Sequence, residues 1–341
     1  MTQFLGMLAA IALTAFCWGV YGPVLHFGRE AMHSNLRPFM CVGLAYFVIA
    51  VIVPLALLAR GGERGGWTSK GVLWSLLAGT AGALGALGVI LALGFGGKPI
   101  YVMPLVFGGA PVINTLLTAG MNKAFDQLKA PFLAGLLLVI TGAVTVLVFK
   151  PQSPPPVAAA AATVGGEIAA PAKPTVERKA EQLVAVLASI ALAMVSWGSY
   201  GPVLHRGQAG MQGSRLRPLI CIGVSYFLIA VLVPLALLVP LGDTGQWNAN
   251  GILWSLGAGS LGAIGALGTI LAFTLGGKPF TVMPVVFGCA PVINTLTTLA
   301  LNETPLDTIS PFFLAGMLVV AVGAATVLAF GPRGHAPAKP A

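Results

Sequence analysis

The chain alternates long apolar runs with short polar breaks, and the runs share a length. A helix that crosses the hydrocarbon core of a bilayer needs about 20 consecutive apolar residues. Ten runs meet that length, at approximately 4–26, 38–59, 71–95, 100–121, 131–149, 183–204, 218–241, 251–275, 280–301 and 311–330. Most breaks are too short to hold an extramembrane domain. The exception is 151–182, from PQSPPPVAAAAATVGG to ERKAEQ, which is Pro/Ala-rich, lacks apolar periodicity and reads as a flexible linker. The first run, MTQFLGMLAAIALTAF, resembles a secretory leader but has no basic segment before it. It also has an internal counterpart, LVAVLASIALAMVSW, after the linker. An internal copy is not a cleaved leader, so both are read as helices that stay.

Composition turns this pattern into a class. Of the 341 residues, 57% are hydrophobic and 8% are charged, against about 25% charged in an average globular protein. Mean hydropathy is +0.92. Eighteen Lys and Arg with nine Asp and Glu cannot coat a soluble surface of this size. A soluble enzyme, a nucleic-acid-binding domain and a disordered chain are therefore excluded. The net charge of +9 reads as loop charge that orients a membrane protein, with the lipid bilayer and not nucleic acid as partner. The 45 glycines and 25 prolines also suit membrane helices better than soluble ones.

The runs repeat with a period of about 180 residues, too long for a solenoid unit. Trp18-Gly19-Val20-Tyr21-Gly22-Pro23-Val24-Leu25-His26 returns as Trp197-Gly198-Ser199-Tyr200-Gly201-Pro202-Val203-Leu204-His205. Arg37-Pro38 returns as Arg217-Pro218, and Gly97-Lys98-Pro99 as Gly277-Lys278-Pro279. Ala110-Pro111-Val112-Ile113-Asn114-Thr115 returns as Ala290-Pro291-Val292-Ile293-Asn294-Thr295. Each copy holds five runs, an odd number, so the copies are expected to cross the membrane in opposite directions.

Loop charges test that orientation. Arg60, Arg64 and Lys70 lie in the loop at 60–70, whose counterpart at 242–250 has only Asp243. Lys123 and Lys129 lie in the loop at 122–130, whose counterpart at 302–310 has only Glu303 and Asp307. The first pair is read as cytoplasmic and the second as outside. Both termini then lie in the cytoplasm, with Arg333 and Lys339 agreeing, in the plasma or inner membrane. The linker carries Lys150, Lys173, Arg178 and Lys179 and would lie outside, which long loops tolerate. The expected fold is an all-α, polytopic membrane protein with ten transmembrane helices as two inverted five-helix repeats. Its parts are a first repeat (1–150), the linker (151–182), a second repeat (183–331) and a disordered tail (332–341).

The four cysteines, Cys17, Cys41, Cys221 and Cys289, fall in apolar runs without metal-ligand spacing. They read as small buried hydrophobes. All nine acids are expected in loops: Glu30, Glu63, Asp126, Glu167, Glu177, Glu181, Asp243, Glu303 and Asp307. An intramembrane carboxylate commonly serves as a proton or cation site, so their placement argues against carboxylate-driven antiport. No paired carboxylates and no Ser/His/Asp set are evident, and neither catalytic residue, metal nor cofactor is expected.

The candidate cavity residues are polar groups placed inside or at the ends of the runs. Tyr21 and Tyr200 sit late in the first run of each copy, and His26 and His205 follow. A five-residue gap puts Tyr and His about 140° apart, off a common helical face. Tyr is weighed evenly between a cavity donor and an interfacial anchor, and His leans to the anchor. Arg37 and Arg217 read first as caps at the opening of a helix, and second as anion ligands. Lys98 and Lys278, in tight Gly-Gly-Lys-Pro turns, are either mouth residues that attract anions or ordinary turn charges. Pro104 and Pro111, with Pro284 and Pro291, interrupt the fourth and ninth runs and free backbone carbonyls, as the broken helices of transporter sites do. Asn114 and Asn294 follow on the same runs and need a partner for a membrane amide. The glycines of the third and eighth runs, Gly79, Gly82, Gly85 and Gly88 with Gly259, Gly262, Gly265 and Gly268, read as a packing face. Trp67, Trp74, Trp247 and Trp254 read as interface anchors.

These residues resemble the drug/metabolite transporter superfamily, and within it the EamA-like ten-helix permeases. In each copy a Trp-Gly lies in the first run (Trp18-Gly19, Trp197-Gly198) and an Arg opens the second (Arg37, Arg217). A small-residue third run follows, then an apolar fourth with a central Pro (Pro111, Pro291) and a Gly-containing fifth (Gly135, Gly142; Gly316, Gly323). The family's Gly-Glu after the fourth run is replaced by Asn122-Lys123 and Asn302-Glu303. The resemblance implies a secondary transporter that moves a small polar metabolite or drug through a central cavity by alternating access, without chemistry. A homodimer is left open. The rivals are a lipid-flipping protein of the same fold and a non-transporting membrane scaffold.

Overall fold

The computed structural model describes residues 2–95, 99–149, 176–240, 242–301 and 309–332. They form ten long helices and, among the described residues, no strand. The helices are α1 (Thr2–Met32), α2 (Leu36–Ala59), α3 (Ser69–Gly94), α4 (Pro99–Asn122), α5 (Ala130–Val148), α6 (Val176–Gly210), α7 (Leu216–Leu237), α8 (Ala249–Thr274), α9 (Pro279–Leu301) and α10 (Pro311–Phe330). Among the described residues, nine helices are long and apolar enough to cross a membrane, all of these except α4. Leu137, Leu253 and Leu318 expose more than half their surface, which water penalises and lipid does not. The chain is a multi-pass membrane protein.

Local chemistry sets where these helices begin and bend. The side chains of Thr68 and Asn248 accept the backbone N–H of Gly71 and Gly251, capping α3 and α8 at equivalent positions. α2 and α7 each widen into a π-helical turn, Val48–Ile52 and Leu228–Leu232. Pro54 and Pro234 follow those turns. A proline ring clashes with the carbonyl four residues back, and the wider turn relieves the clash.

Two boundaries differ from the sequence expectation. α1 has 31 residues and α6 has 35, about 46 and 52 Å at 1.5 Å per residue. A hydrocarbon core is only about 30 Å thick. The helices therefore run on past the apolar runs, so Glu30, Glu177 and Glu181 are helical and not in loops. α6 likewise starts inside the stretch read as linker. The rest of that linker, the tail from Arg333, and Glu303 and Asp307 lie outside the described residues.

The helices pair across the two copies. α1 packs antiparallel on α8, and α6 on α3, at glycine. A side chain at Gly268 would overlap Thr14, and one at Gly88 would overlap Ala193. The Thr14 hydroxyl donates to the Gly265 carbonyl at 3.2 Å. α5 and α10 meet at Gly135, Gly142, Gly316 and Gly323, where any side chain would strike the facing backbone or its first carbons. Such small-residue contacts are how membrane helices approach closely.

Two equivalent clamps tie the copies at opposite ends. Arg217 pairs with Glu63 at 3.0 Å, and Arg37 with Asp243 at 3.4 Å. All four side chains are between 10% and 15% exposed. Glu63 also accepts the Ser214 hydroxyl and the N–H groups of Arg215 and Leu216, at the start of α7. Asp243 accepts the Ser34 hydroxyl and the Gly245 N–H. Arg37 lies over Trp247 and Arg217 over Trp67. The arginines that open the second helix of each copy are thus neutralised by the other copy's acid, while the helix starts themselves are capped by Ser34 in one copy and by Ser214 and Glu63 in the other. The 242–250 loop, read as merely acidic, carries the same clamp as its basic counterpart.

Removing one partner leaves a largely buried charge unpaired, which costs several kcal/mol. Glu63→Gln and Asp243→Asn are each expected to destabilise the protein by about 3–5 kcal/mol. Glu63→Gln should cost more because Glu63 serves more donors. Thermal unfolding in detergent checks this, with Glu30→Gln, in an exposed pair with His26, changing little.

Candidate functional site

Where the two copies meet at mid-height, aromatic rings enclose a cavity of about 80 Å³. That space holds several water molecules or a small solute. The lining comes in equivalent pairs. α1 and α6 supply Trp18 and Tyr21 with Trp197 and Tyr200. α2 and α7 supply Tyr46 and Tyr226, and α4 and α9 supply Phe107 and Phe287. Gly82, Ala86, Gly262 and Ala290 complete the wall, which includes no charged side chain.

The rings hold one another. Tyr46 and Tyr226 stack in parallel with centroids 3.7 Å apart and planes 1° apart. Trp18 meets Tyr200 edge-on at 5.7 Å and Phe287 at 6.5 Å. Phe107 bridges Trp197 at 6.0 Å and Phe287 at 6.4 Å. The glycine stripes of α3 and α8 seat the rings. A side chain at Gly85 or Gly265 would overlap the indoles of Trp197 or Trp18. One at Gly82 or Gly262 would overlap Tyr226 or Tyr46. The indole N–H of Trp18 donates to the Gly262 carbonyl at 3.3 Å, and that of Trp197 to the Gly82 carbonyl at 3.2 Å. The Tyr200 hydroxyl is buried without a hydrogen-bond partner among the described residues.

The two ends beyond the cavity differ although their sequences are related. One to three turns further along α1 and α3, the helices part around an open crevice of about 540 Å³. His26, Arg29, Glu30 and His33 face Ile90, Leu91, Gly94 and Phe95 across it. At the equivalent place on α6 and α8 the helices are bonded shut. Gln208, which replaces Arg29, donates to the Ile270 carbonyl at 3.1 Å and the Thr274 hydroxyl at 2.7 Å. Ile270 and Thr274 correspond to Ile90 and Gly94. His205 packs edge-on against Phe273 at 5.2 Å. The Asn114 amide donates to the Pro279 carbonyl at 2.9 Å and ties α4 to the start of α9. The side chain of its counterpart Asn294 lies close to Gly22 and forms no hydrogen bond among the described residues.

No protein-family model matches the sequence. No curated protein matches it. One solved structure, described only as "Crystal structure of protein", aligns over 97% of this chain and 99% of its own with a TM-score of 0.62. The two share 19% identity, so the likeness speaks to the fold alone.

The structure brings two of the sequence-predicted residues, Tyr21 and Tyr200, to the cavity wall. Asn114 and His205 lie at the shut end, and His26 at the mouth of the crevice. Lys278 is exposed in the turn before α9, and Lys98 lies outside the described residues. Pro111, Pro284 and Pro291 are buried within α4 and α9. Pro104 lies within α4, its side chain outside the description. The sequence reading missed Tyr46, Tyr226, Phe107 and Phe287 as lining. Each stands at the same position in both copies, which was the available signal. It also missed Gln208 and Thr274, whose signal is the opposite one: they break the repeat.

Adding a methyl group where a ring is seated forces overpacking of about 1–3 kcal/mol. Gly85→Ala and Gly265→Ala are therefore expected to lower the unfolding temperature clearly. Gly94→Ala, with nothing within 4 Å of the new carbon, should shift stability by less than about 1 kcal/mol. Thermal unfolding of the three variants beside the parent measures the difference.

Proposed function

We propose that the chain is a ten-helix permease of the EamA-like drug/metabolite type, built from two inverted five-helix repeats. It moves a small polar metabolite or drug through the aromatic cavity by alternating access, with both termini in the cytoplasm. One observation carries this reading. Equivalent helix pairs flank the cavity, and one pair is bonded shut while the other stands open. A protein with two interchangeable repeats reaches its opposite state when the repeats exchange conformations. On this reading the crevice between α1 and α3 faces outward, and the Gln208 and Asn114 bonds close the cytoplasmic side. An aromatic cavity between the repeats also favours transport over a scaffold with a filled interior.

The exchange is testable with paired cysteines in a background lacking Cys17, Cys41, Cys221 and Cys289. Gln208→Cys with Thr274→Cys is expected to crosslink in the resting protein. Arg29→Cys with Gly94→Cys is expected to crosslink only when a transported solute drives the opposite state. A thermal-shift screen over nucleotide-sugars, amino acids, sugars and organic cations selects that solute. Either crosslink should abolish uptake into proteoliposomes, and reduction should restore it. Uptake that continues with both ends locked would overturn the reading.

A further inference from the structure

We propose that the cavity selects a small methylated ammonium cation, such as a quaternary ammonium with one short polar arm. The inference rests on the transport reading and names the solute class of that same cavity. Eight aromatic rings wall a space whose lining carries no charge. The face of an aromatic ring is electron-rich and its edge electron-poor. The strongest edge donors, the two indole N–H groups, are already spent on the carbonyls of Gly82 and Gly262. An anion would meet no cation and no free indole donor. A sugar would bring more hydroxyls than the four tyrosines can satisfy, and each one left unpaired in a buried site is costly. A primary ammonium has three N–H donors to place. A methylated ammonium has few or none, carries a diffuse charge, and is recognised by ring faces without a counter-carboxylate. The Tyr200 hydroxyl, in a wall residue and without a hydrogen-bond partner among the described residues, is the group to take the polar arm once its ring turns to expose it.

Charge and shape are separable with one pair of probes. Choline and its neutral carbon isostere 3,3-dimethylbutan-1-ol have nearly the same outline. Binding to the purified full-length protein, by calorimetry at constant ionic strength, is expected to favour choline at least tenfold. Trp18→Leu and Trp197→Leu should each reduce choline binding about tenfold or more, while Trp18→Phe retains most of it. Circular dichroism and thermal unfolding show whether each variant is folded, and the choline comparison in the parent protein needs no variant at all. Equal or tighter binding of the neutral isostere overturns the proposal and leaves transport intact. So does failure of both probes alongside uptake of another solute class. If no solute drives the Arg29→Cys/Gly94→Cys crosslink, it is the transport reading that fails.

Discussion

Lipid tails are as apolar as leucine, so membrane helices gain little by hiding apolar surface from them. They hold together by close contact, and close contact requires small residues where backbones cross. The glycine stripes of α3 and α8 meet that requirement and then do more. Successive glycines of each stripe face different parts of the other copy. Gly79 and Gly259 let α7 and α2 approach. Gly82 and Gly262 seat Tyr226 and Tyr46, and Gly85 and Gly265 seat Trp197 and Trp18. Gly88 and Gly268 admit the backbones of α6 and α1. Helix pairing and cavity wall are thus one feature. The carbonyls that accept the indole N–H groups belong to the same stripes, so the rings are fixed to the helix that creates the space beside them.

The polar chemistry is arranged around that frame by depth. At both ends, carboxylates clamp arginines of the other copy, and the clamps are alike at the two ends. They do not distinguish the open end from the shut one. What differs lies between clamp and cavity. Gln208 and Thr274 bond to each other and to the Ile270 carbonyl, while Arg29 and Gly94 occupy the equivalent places across the crevice. A neutral amide reaches a helix carbonyl at little desolvation cost. An arginine brings a full charge to the same task and is favoured at a helix C-terminus, where the carbonyls point outward. The two ends therefore carry different chemistry at equivalent positions, and on the transport reading the two states of such repeats need not have equal energy.

Much of this was legible in the sequence, for identifiable reasons. The ten helices follow from apolar run length, whereas which helices pair across the copies is seen only in the structure. Helix ends were misjudged where α1 and α6 outrun their apolar runs, because hydropathy marks the hydrocarbon core and not the last hydrogen-bonded turn. Glu30 was placed in a loop for that reason. The clamp roles of Arg37 and Arg217 stayed ambiguous because their partners are more than 150 residues away. Tyr21 and Tyr200 were found as polar groups in apolar helices. Phe107 and Phe287 were not, since nothing in a single helix separates a lining phenylalanine from a packed one.

The placement of acids bears on energetics as well as architecture. The two clamp carboxylates are committed to arginine, and Glu30 stands at the mouth of the crevice beside His26. None of them lines the cavity. A carrier that couples flux to protons or sodium through a carboxylate needs that group to meet solute or ion within the membrane. Here the cavity wall has aromatic faces and tyrosine hydroxyls instead. Recognition by ring faces also needs no titratable partner to be charged or discharged during the cycle. On the transport reading, a solute held by ring faces moves without engaging any of these three acids. A permanently charged solute would add the membrane potential, worth about 2.3 kcal/mol per charge per 100 mV.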